Sequence, residues 1–193
     1  MKRFVQGISL LVFCVIFVSF KKSPIIEQKD LIVAFPSALE KEYDTISDNN
    51  LLFFNGSKSI DIRSINPTKI QEIAGKPTKI ENGFSEMDDD NTITYIYPDG
   101  KFIFLVKQKH HYIEMYGPKW SFGIKKSKSN ILKFSPGNSL ELLKKSFRVS
   151  YQNPINTVYI NLGIKTPSNM LSDSFLSFEV DKSNNKIKSI TLE

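Results

Sequence analysis

The sequence predicts an α+β fold in which short helices pack on antiparallel β-meanders and a helix-plus-three-strands unit occurs twice. Two observations predict it. Short helix signals lie at residues 66–77 and 136–147. Each is followed by runs of β-branched and aromatic residues separated by turn signals, a pattern typical of consecutive antiparallel strands. We expect both units to pack as one body.

The first element is a targeting segment. Two basic residues, Lys2 and Arg3, precede an uncharged, mostly apolar run at residues 4–20, and two lysines then restore the charge. A basic start that leads into an apolar run is typical of an export signal or a single membrane anchor. We therefore expect residues 1–22 to direct the chain to the periplasm or cell envelope.

Whether that segment is removed stays open. A cleavable signal ends in small residues spaced A-x-A, but Phe17 lies where a small residue is expected if Ser19 is the last residue removed. A retained segment would anchor the chain through residues 4–20, although a bilayer core of about 30 Å needs about 20 apolar residues. Lipidation of Cys14 is the third alternative, which the bulky Phe13 before it disfavours.

Charge and cysteine content bound the class of protein. The chain has 26 Lys and Arg against 20 Asp and Glu, a formal net charge of +6, and removal of residues 1–22 leaves 22 bases against 20 acids. Nucleic-acid-binding domains concentrate basic residues on one face, so we expect no nucleic-acid partner. Cys14 is the only cysteine. The exported part therefore has no intramolecular disulfide and depends on its apolar core.

The signals along the chain predict five segments. They are a signal peptide or membrane anchor at 1–22, an N-terminal extension at 23–50, a first helix-plus-meander unit at 51–124, a connector at 125–135 and a second helix-plus-meander unit at 136–193.

The first unit opens on a small hairpin at residues 51–62, which leads into a short helix. Asn66 is the predicted N-cap, Pro67 suits the first helical position, and Gly75 ends the helix.

A meander of three strands follows. Residues 92–97 and 102–106 are predicted strands, joined by a turn at residues 98–100 in which Pro presets φ and Asp-Gly tolerates a tight reversal. Residues 112–116 are the predicted third strand.

The second unit repeats that order. Asn138 and Glu141 have the spacing of a capping box. Three strands are predicted after the helix, at 157–162, 175–180 and 186–192. In the last strand Ile187 and Ile190 fall on opposite parities, which predicts a bulge or a weak edge.

Segments 66–77 and 136–147 resemble the openings of a small α+β module. That module occurs in small outer-membrane assembly lipoproteins and, in tandem, in β-lactamase-inhibitor-like proteins, and the chain also resembles uncharacterised exported proteins of Gram-negative envelopes. Over residues 51–193 the resemblance implies helical segments against an antiparallel sheet and the binding of other proteins without catalysis. It assigns no functional residue.

Candidate catalytic residues are few. His110 and His111 are adjacent, so on a strand they face opposite sides and cannot chelate one metal together. The Asp88–Asp90 run lacks the alternating spacing of a calcium loop. We expect no metal and no cofactor. His111 with Glu114 remains the alternative, as an acid–base pair.

The candidate binding surface is aromatic. Tyr and Trp are enriched at binding hot spots because they bury a large area and keep a polar group. The candidate residues are Tyr95, Tyr97, Tyr112, Tyr116, Trp120 and Phe122. The alternative is that these rings fill the core between helix and sheet.

The leading hypothesis is a non-catalytic exported cell-envelope protein that binds another protein, as an inhibitor, an immunity protein or an assembly factor. Its expected partner is another envelope protein, with membrane attachment through residues 4–20 if that segment is retained. The alternative is a small envelope hydrolase or ligand-binding domain that uses His111, Glu114 and the Asp88–Asp90 run. A mainly structural anchored protein is the third hypothesis.

Overall fold

The computed structural model describes residues 43–108, 110–127 and 129–193. The predicted export segment, Cys14 and most of the predicted N-terminal extension lie outside these residues. Within the described ranges, no helix has the length and apolar character that a membrane crossing requires.

Twelve strands lie in the described residues, and all but one of their pairings are antiparallel. The strands are β1 (Thr45–Ser47), β2 (Leu51–Asn55), β3 (Lys58–Asp61), β4 (Lys79–Ser85), β5 (Asp90–Tyr97), β6 (Gly100–Leu105), β7 (His111–Met115), β8 (Trp120–Lys125), β9 (Ile131–Phe134), β10 (Tyr159–Lys165), β11 (Leu171–Asp181) and β12 (Lys186–Leu192). The helices are α1 (Pro67–Ala74), α2 (Glu141–Ser146) and α3 (Arg148–Gln152), and 3₁₀ turns lie at Asp48–Asn50 and Ile62–Ser64.

The strands form two sheets that share one core. The large sheet has the order β1-β10-β11-β12-β7-β6-β5-β4, and the small sheet has the order β3-β2-β8-β9. Phe53 of β2 lies edge-on to Phe102 of β6, with ring centroids 5.1 Å apart, and Phe134 of β9 lies 5.4 Å from Phe178 of β11. Such pairs stabilise the contact beyond the area they bury. They fix the small sheet against the centre of the large one.

The predicted α+β fold with a helix-plus-three-strands unit occurring twice is wrong. The described part of the chain is mostly β, and α1, α2 and α3 have only 8, 6 and 5 residues. Four strands of the large sheet, β4 to β7, follow α1, whereas the prediction has three and omits β4. β12 pairs with β7, so both predicted units share one sheet. Residue patterns predict strands, but long-range packing decides their partners.

The middle of the chain is divided between the sheets. β8 leaves the meander that precedes it and pairs with β2 in the small sheet. Residues 125–135, predicted as a connector, include β9, the edge strand of that sheet.

The signals that predict α1 are confirmed. The side chain of Asn66 accepts hydrogen bonds from the amides of Thr68 and Lys69 at 3.1 and 2.9 Å. Pro67 lies in the first turn, and Gly75 ends the helix with a φ of 86°, a value that favours glycine.

The predicted capping box at Asn138 is wrong. The carboxamide oxygen of Asn138 accepts a hydrogen bond from the amide of Ser135 at 2.9 Å and so closes a turn, whereas α2 begins later, at Glu141. Gly137, with a φ of 88°, lies in the same turn. Spacing alone does not separate a cap from a turn, because Asn suits both.

The predicted hairpins and the bulge are confirmed. β5 and β6 pair around the turn between Tyr97 and Gly100. In β12 the register shifts where Glu179 pairs with Ser189 and Val180 with Ile187, so one extra residue lies between them. The bulge explains the opposite parities, because Ile187 and Ile190 are both buried in the core.

A close approach at Gly100 sets the position of Trp120. An added Cβ atom at Gly100 would overlap the carbonyl oxygen of Glu114 and the ring of Trp120. Trp120 is only 2% exposed and lies 5.2 Å from the Phe102 ring. Only glycine therefore lets the large sheet approach the buried indole this closely.

We expect Gly100→Ala to lower the free energy of unfolding by about 3 kcal/mol or more, because overlap with a backbone oxygen requires the strands to move. Gly56→Ala is the control. Gly56 has a φ of 63° and nothing within 4 Å of an added Cβ, so its substitution should cost only about 1–2 kcal/mol. Urea unfolding followed by circular dichroism measures both losses. Equal losses would contradict the close packing at Gly100.

Candidate functional site

Three of the six predicted binding residues lie in the core. Tyr97, Trp120 and Phe122 are buried, and Trp120 lies edge-on to Phe53 with ring centroids 5.1 Å apart. For these three residues the core-filling alternative describes the structure. They offer no surface to a partner while the protein is folded.

The other three aromatic residues are split between the two faces of the large sheet. Tyr95 faces the core, where its ring lies 5.5 Å from that of Phe104. Tyr112 and Tyr116 alternate with buried residues of β7 and so lie on the outer face. Tyr116 is 49% exposed, and its hydroxyl donates to the carbonyl of Tyr97 at 3.1 Å. The six residues therefore do not form one binding surface.

The acidic run spans the turn between β4 and β5 and the first residue of β5, and two of its carboxylates have structural partners. The Tyr112 hydroxyl donates to Asp88 at 2.8 Å, and burial together with that carboxylate raises the pKa of Tyr112 to about 12. Asp90 accepts hydrogen bonds from the amides of Lys107 and Gln108 at 2.8 and 3.1 Å. Burial alone would raise the pKa of Asp90, but these bonds hold it below its ordinary value. The run thus closes loops.

The alternative acid–base pair of His111 and Glu114 is not brought together. The two residues lie on opposite faces of β7. Glu114 pairs with Lys101 at 2.9 Å, whereas His111 lies beside Phe104 with ring centroids 6.2 Å apart. In the described ranges, no three His, Cys, Asp or Glu side chains are grouped as metal ligands. The residues of that alternative do not converge on one point.

A cleft of about 940 Å³ lies between the large sheet and the segment from Ile62 to Lys69. We call it the end cleft, because it lies where β7 begins and β12 ends. Its apolar wall includes Ile62, Ile65, Ile93, Phe104, Ile164 and Leu192. A mostly apolar cleft of this volume is typical of small-molecule and peptide sites.

Two polar atoms of the end cleft's lining residues are buried without a hydrogen-bond partner among the described residues. They are Oδ1 of Asp48 and Nε2 of His111. Burial, and secondarily the neighbouring His110, lowers the pKa of His111 to about 4, so its imidazole is neutral at pH 7. An unpartnered buried polar atom costs about 1–3 kcal/mol. A bound group that supplied a partner would recover part of that cost.

The charges at the end cleft are mixed. The Arg63 guanidinium donates to Asp61 at 2.9 Å and also to Asn49. Burial alone would raise the pKa of Asp61, but the hydrogen bonds from Arg63 lower it below its ordinary value. Lys69 adds a second cation to the lining, which also contains the acidic Asp48 and Glu193. The lining therefore gives no strong preference for an anion.

An exposed apolar strip continues from the end cleft onto β4. Ile80, Phe84 and Val106 are 54%, 57% and 57% exposed, and Ile93 and Val106 also line the cleft. Phe84 of β4 lies opposite Asn91 of β5. The carbonyl of Asn91 accepts from the amide of Val106, which follows β6, so Asn91 lies between Phe84 and Val106. These residues face the same side of the sheet as the cleft. We call Ile80, Phe84, Ile93 and Val106 the apolar rim.

The sequence points to His111 but to neither the end cleft nor the apolar rim. β4 has only two apolar residues, Ile80 and Phe84, on the same parity of a seven-residue strand. Apolar residues on one parity indicate a strand, but Asn-Gly, here Asn82 and Gly83 between them, is typical of a turn. The cleft joins residues from Asp48 to Glu193, which no local pattern connects.

Comparison with protein-family models, curated proteins and solved structures finds no match for this chain. The resemblance to β-lactamase-inhibitor-like proteins and assembly lipoproteins therefore remains an expectation from the sequence.

The neutral, buried His111 predicts a loss of stability in mild acid. Its pKa is about 4 in the folded protein against about 6.5 in an unfolded chain. The unfolded state therefore binds more protons between these values, and stability falls as the pH drops through that window. We expect a loss of roughly 2 kcal/mol between pH 7 and pH 5.

His111→Phe should remove most of that loss, because the substituted ring does not titrate. His110→Phe is the control and should keep most of it, since His110 is exposed. Urea unfolding at both pH values gives the free energies. The assignment fails if His111→Phe keeps the same pH dependence as the unmodified protein.

Proposed function

We propose that this protein is a non-catalytic exported cell-envelope protein that binds another protein, as an inhibitor, an immunity protein or an assembly factor. The apolar rim beside the end cleft is the observation that carries the proposal. Monomeric soluble proteins rarely expose contiguous apolar patches of more than a few hundred Å², and large patches mark interaction sites when polar residues surround them.

The arrangement of the rim supports a protein partner. Ile80, Phe84 and Ile93 lie in strands of a packed sheet, and Val106 directly follows β6, so a partner meets a surface that is already formed and little ordering cost arises on binding. The adjoining cleft can receive an apolar side chain, and the mixed charges of Arg63, Lys69 and Glu193 can form a polar border. A buried apolar centre with a polar border is the usual anatomy of a protein interface.

The proposed location follows from the sequence. The basic start and apolar run of residues 1–22 support export to the periplasm or cell envelope. The proposed partner is therefore another envelope protein, and residues 4–20 add a membrane attachment if they are retained.

A second candidate function is the binding of a small, mainly apolar molecule in the end cleft. The volume of about 940 Å³ lies in the range of ligand sites. The unpartnered atoms of Asp48 and His111 would then meet polar groups of the ligand. For this candidate, substitution of Ile80 or Phe84, the rim residues outside the cleft lining, would not change ligand binding.

The test is affinity capture from the native envelope with a C-terminal tag, followed by mass spectrometry. Val106→Glu places a charge on the apolar rim without changing a buried side chain, because Val106 is 57% exposed. It should reduce capture of the partner at least about 10-fold, as expected for a central apolar contact. Val158→Glu is the matched control, since Val158 is 38% exposed and lies outside the rim and the cleft lining.

The proposal predicts a reproducible partner that the unmodified protein and Val158→Glu both capture and that Val106→Glu loses. Recovery of no reproducible partner would contradict it, and so would equal capture by both variants. Circular dichroism of each variant checks that the fold is retained.

A further inference from the structure

The backbone of β4 offers hydrogen-bonding groups on one side. The carbonyl of Ile96 in β5 accepts from the amide of Thr78, so the even-numbered residues of β5 face β4. Along an antiparallel ladder, the N–H and C=O groups of one residue point to the same side, and the side alternates with each residue. On the other side of β5, the carbonyl of Asn91 accepts from the amide of Val106, which follows β6. The odd-numbered residues of β5 therefore face β6, in agreement with this assignment.

The register then identifies the free groups. Lys79, Glu81, Gly83 and Ser85 of β4 lie opposite the even-numbered residues of β5 and bond to them. Ile80, Asn82 and Phe84 therefore direct their N–H and C=O groups away from β5. β4 is the last strand of the large sheet, so within the described ranges no strand pairs with that side.

We infer that β4 pairs antiparallel with β4 of a second copy of this chain, about a two-fold axis at Asn82. The three residues with free groups are symmetric about Asn82. In this register Ile80 bonds to Phe84 of the copy, Asn82 to Asn82, and Phe84 to Ile80, which satisfies the N–H and C=O groups of all three residues. The inference rests on the backbone edge of β4 and not on the proposed function, with which it shares Ile80 and Phe84 of the apolar rim.

Charge selects this register over the one with the axis at Glu81. With the axis at Asn82, Glu81 lies opposite Gly83 of the copy and Lys79 lies opposite Ser85. With the axis at Glu81, the two Glu81 residues would lie directly opposite each other, which is destabilising, and one hydrogen-bonded pair would be lost. Each Glu81 is also paired with Lys79 of its own strand at 2.5 Å.

Apolar contacts favour the same arrangement. The two-fold axis of an antiparallel strand pair is perpendicular to the sheet, so both copies keep the same face on the cleft side. Ile80 of one copy then lies beside Phe84 of the other, although these side chains are 54% and 57% exposed in the single chain. Such a pairing covers part of each apolar rim and joins the two large sheets into one continuous sheet.

Sedimentation velocity of the purified protein over a range of concentrations tests the inference. We expect the unmodified protein to dimerise. Asn82→Pro removes an N–H group that β5 does not use, and proline is tolerated at such an edge position. It should raise the dimer dissociation constant at least about 100-fold, because both bonds at the axis are lost. Asn82→Ala removes only the side chain and should dimerise as the unmodified protein does.

A second variant does not depend on the folding of Asn82→Pro. Paired Asn82 residues would have Cα atoms about 5.5 Å apart, within the range for a disulfide. Asn82→Cys in a Cys14→Ser background should therefore form a disulfide-linked dimer under air oxidation, and Lys58→Cys on the edge strand of the other sheet should not.

Three results would overturn the inference. The first is an unmodified protein that stays monomeric at every concentration. The second is an Asn82→Pro variant that dimerises as the unmodified protein does, or an Asn82→Cys variant that crosslinks no better than Lys58→Cys. The third is that the protein is monomeric and that Asn82→Pro loses the capture of an envelope partner. In that case β4 pairs with an extended segment of that partner.

Discussion

The pairing of β7 with β12 is the constraint on which the rest of the structure depends. It joins β4–β7 to β10–β12 through three residue pairs, Met115–Ile190, Glu114–Thr191 and Ile113–Leu192. The side chains of Ile113, Met115 and Ile190 are completely buried, so this pair lies inside the shared core. A sheet with an apolar face must bury that face against another layer. Because the two halves form one sheet, the four strands of the small sheet and three short helices can cover both of them.

The unequal size of the two sheets explains the surface features. The small sheet covers the centre of the large one, where Phe53 meets Phe102, but not β4 at its edge. Ile80 and Phe84 therefore stay exposed on the face of the sheet that carries the end cleft. An open sheet also has edge strands whose backbone groups remain available for pairing. The apolar rim, the end cleft and the free edge of β4 are thus consequences of one arrangement.

Local structure could be predicted from the sequence where a residue has one conformational role. Asn66, Pro67 and Gly75 define α1, and the opposite parities of Ile187 and Ile190 predict the bulge in β12. Pairing could not be predicted, because the strand signal of β8 is equally compatible with either sheet. The burial of the aromatic residues could not be predicted either, because Trp and Tyr side chains such as Trp120 and Tyr116 suit a core as well as an interface. Of the residues that line the end cleft, the sequence singles out His110 and His111 for their chemistry, and the place of His111 depends on its register with Phe104.

Native-state amide hydrogen exchange tests whether β7 and β12 join the two halves of the chain into a single sheet. The amide of Tyr116 donates to Asp99 before β6, so the odd-numbered residues of β7 face β12, and the amides of Ile113, Met115, Ile190 and Leu192 bond across the pair. These amides should exchange only through global unfolding, with the free energy that urea unfolding gives. Exchange of β10–β12 through a separate opening, at a lower free energy than that of β4–β7, would show two independent units and contradict the account.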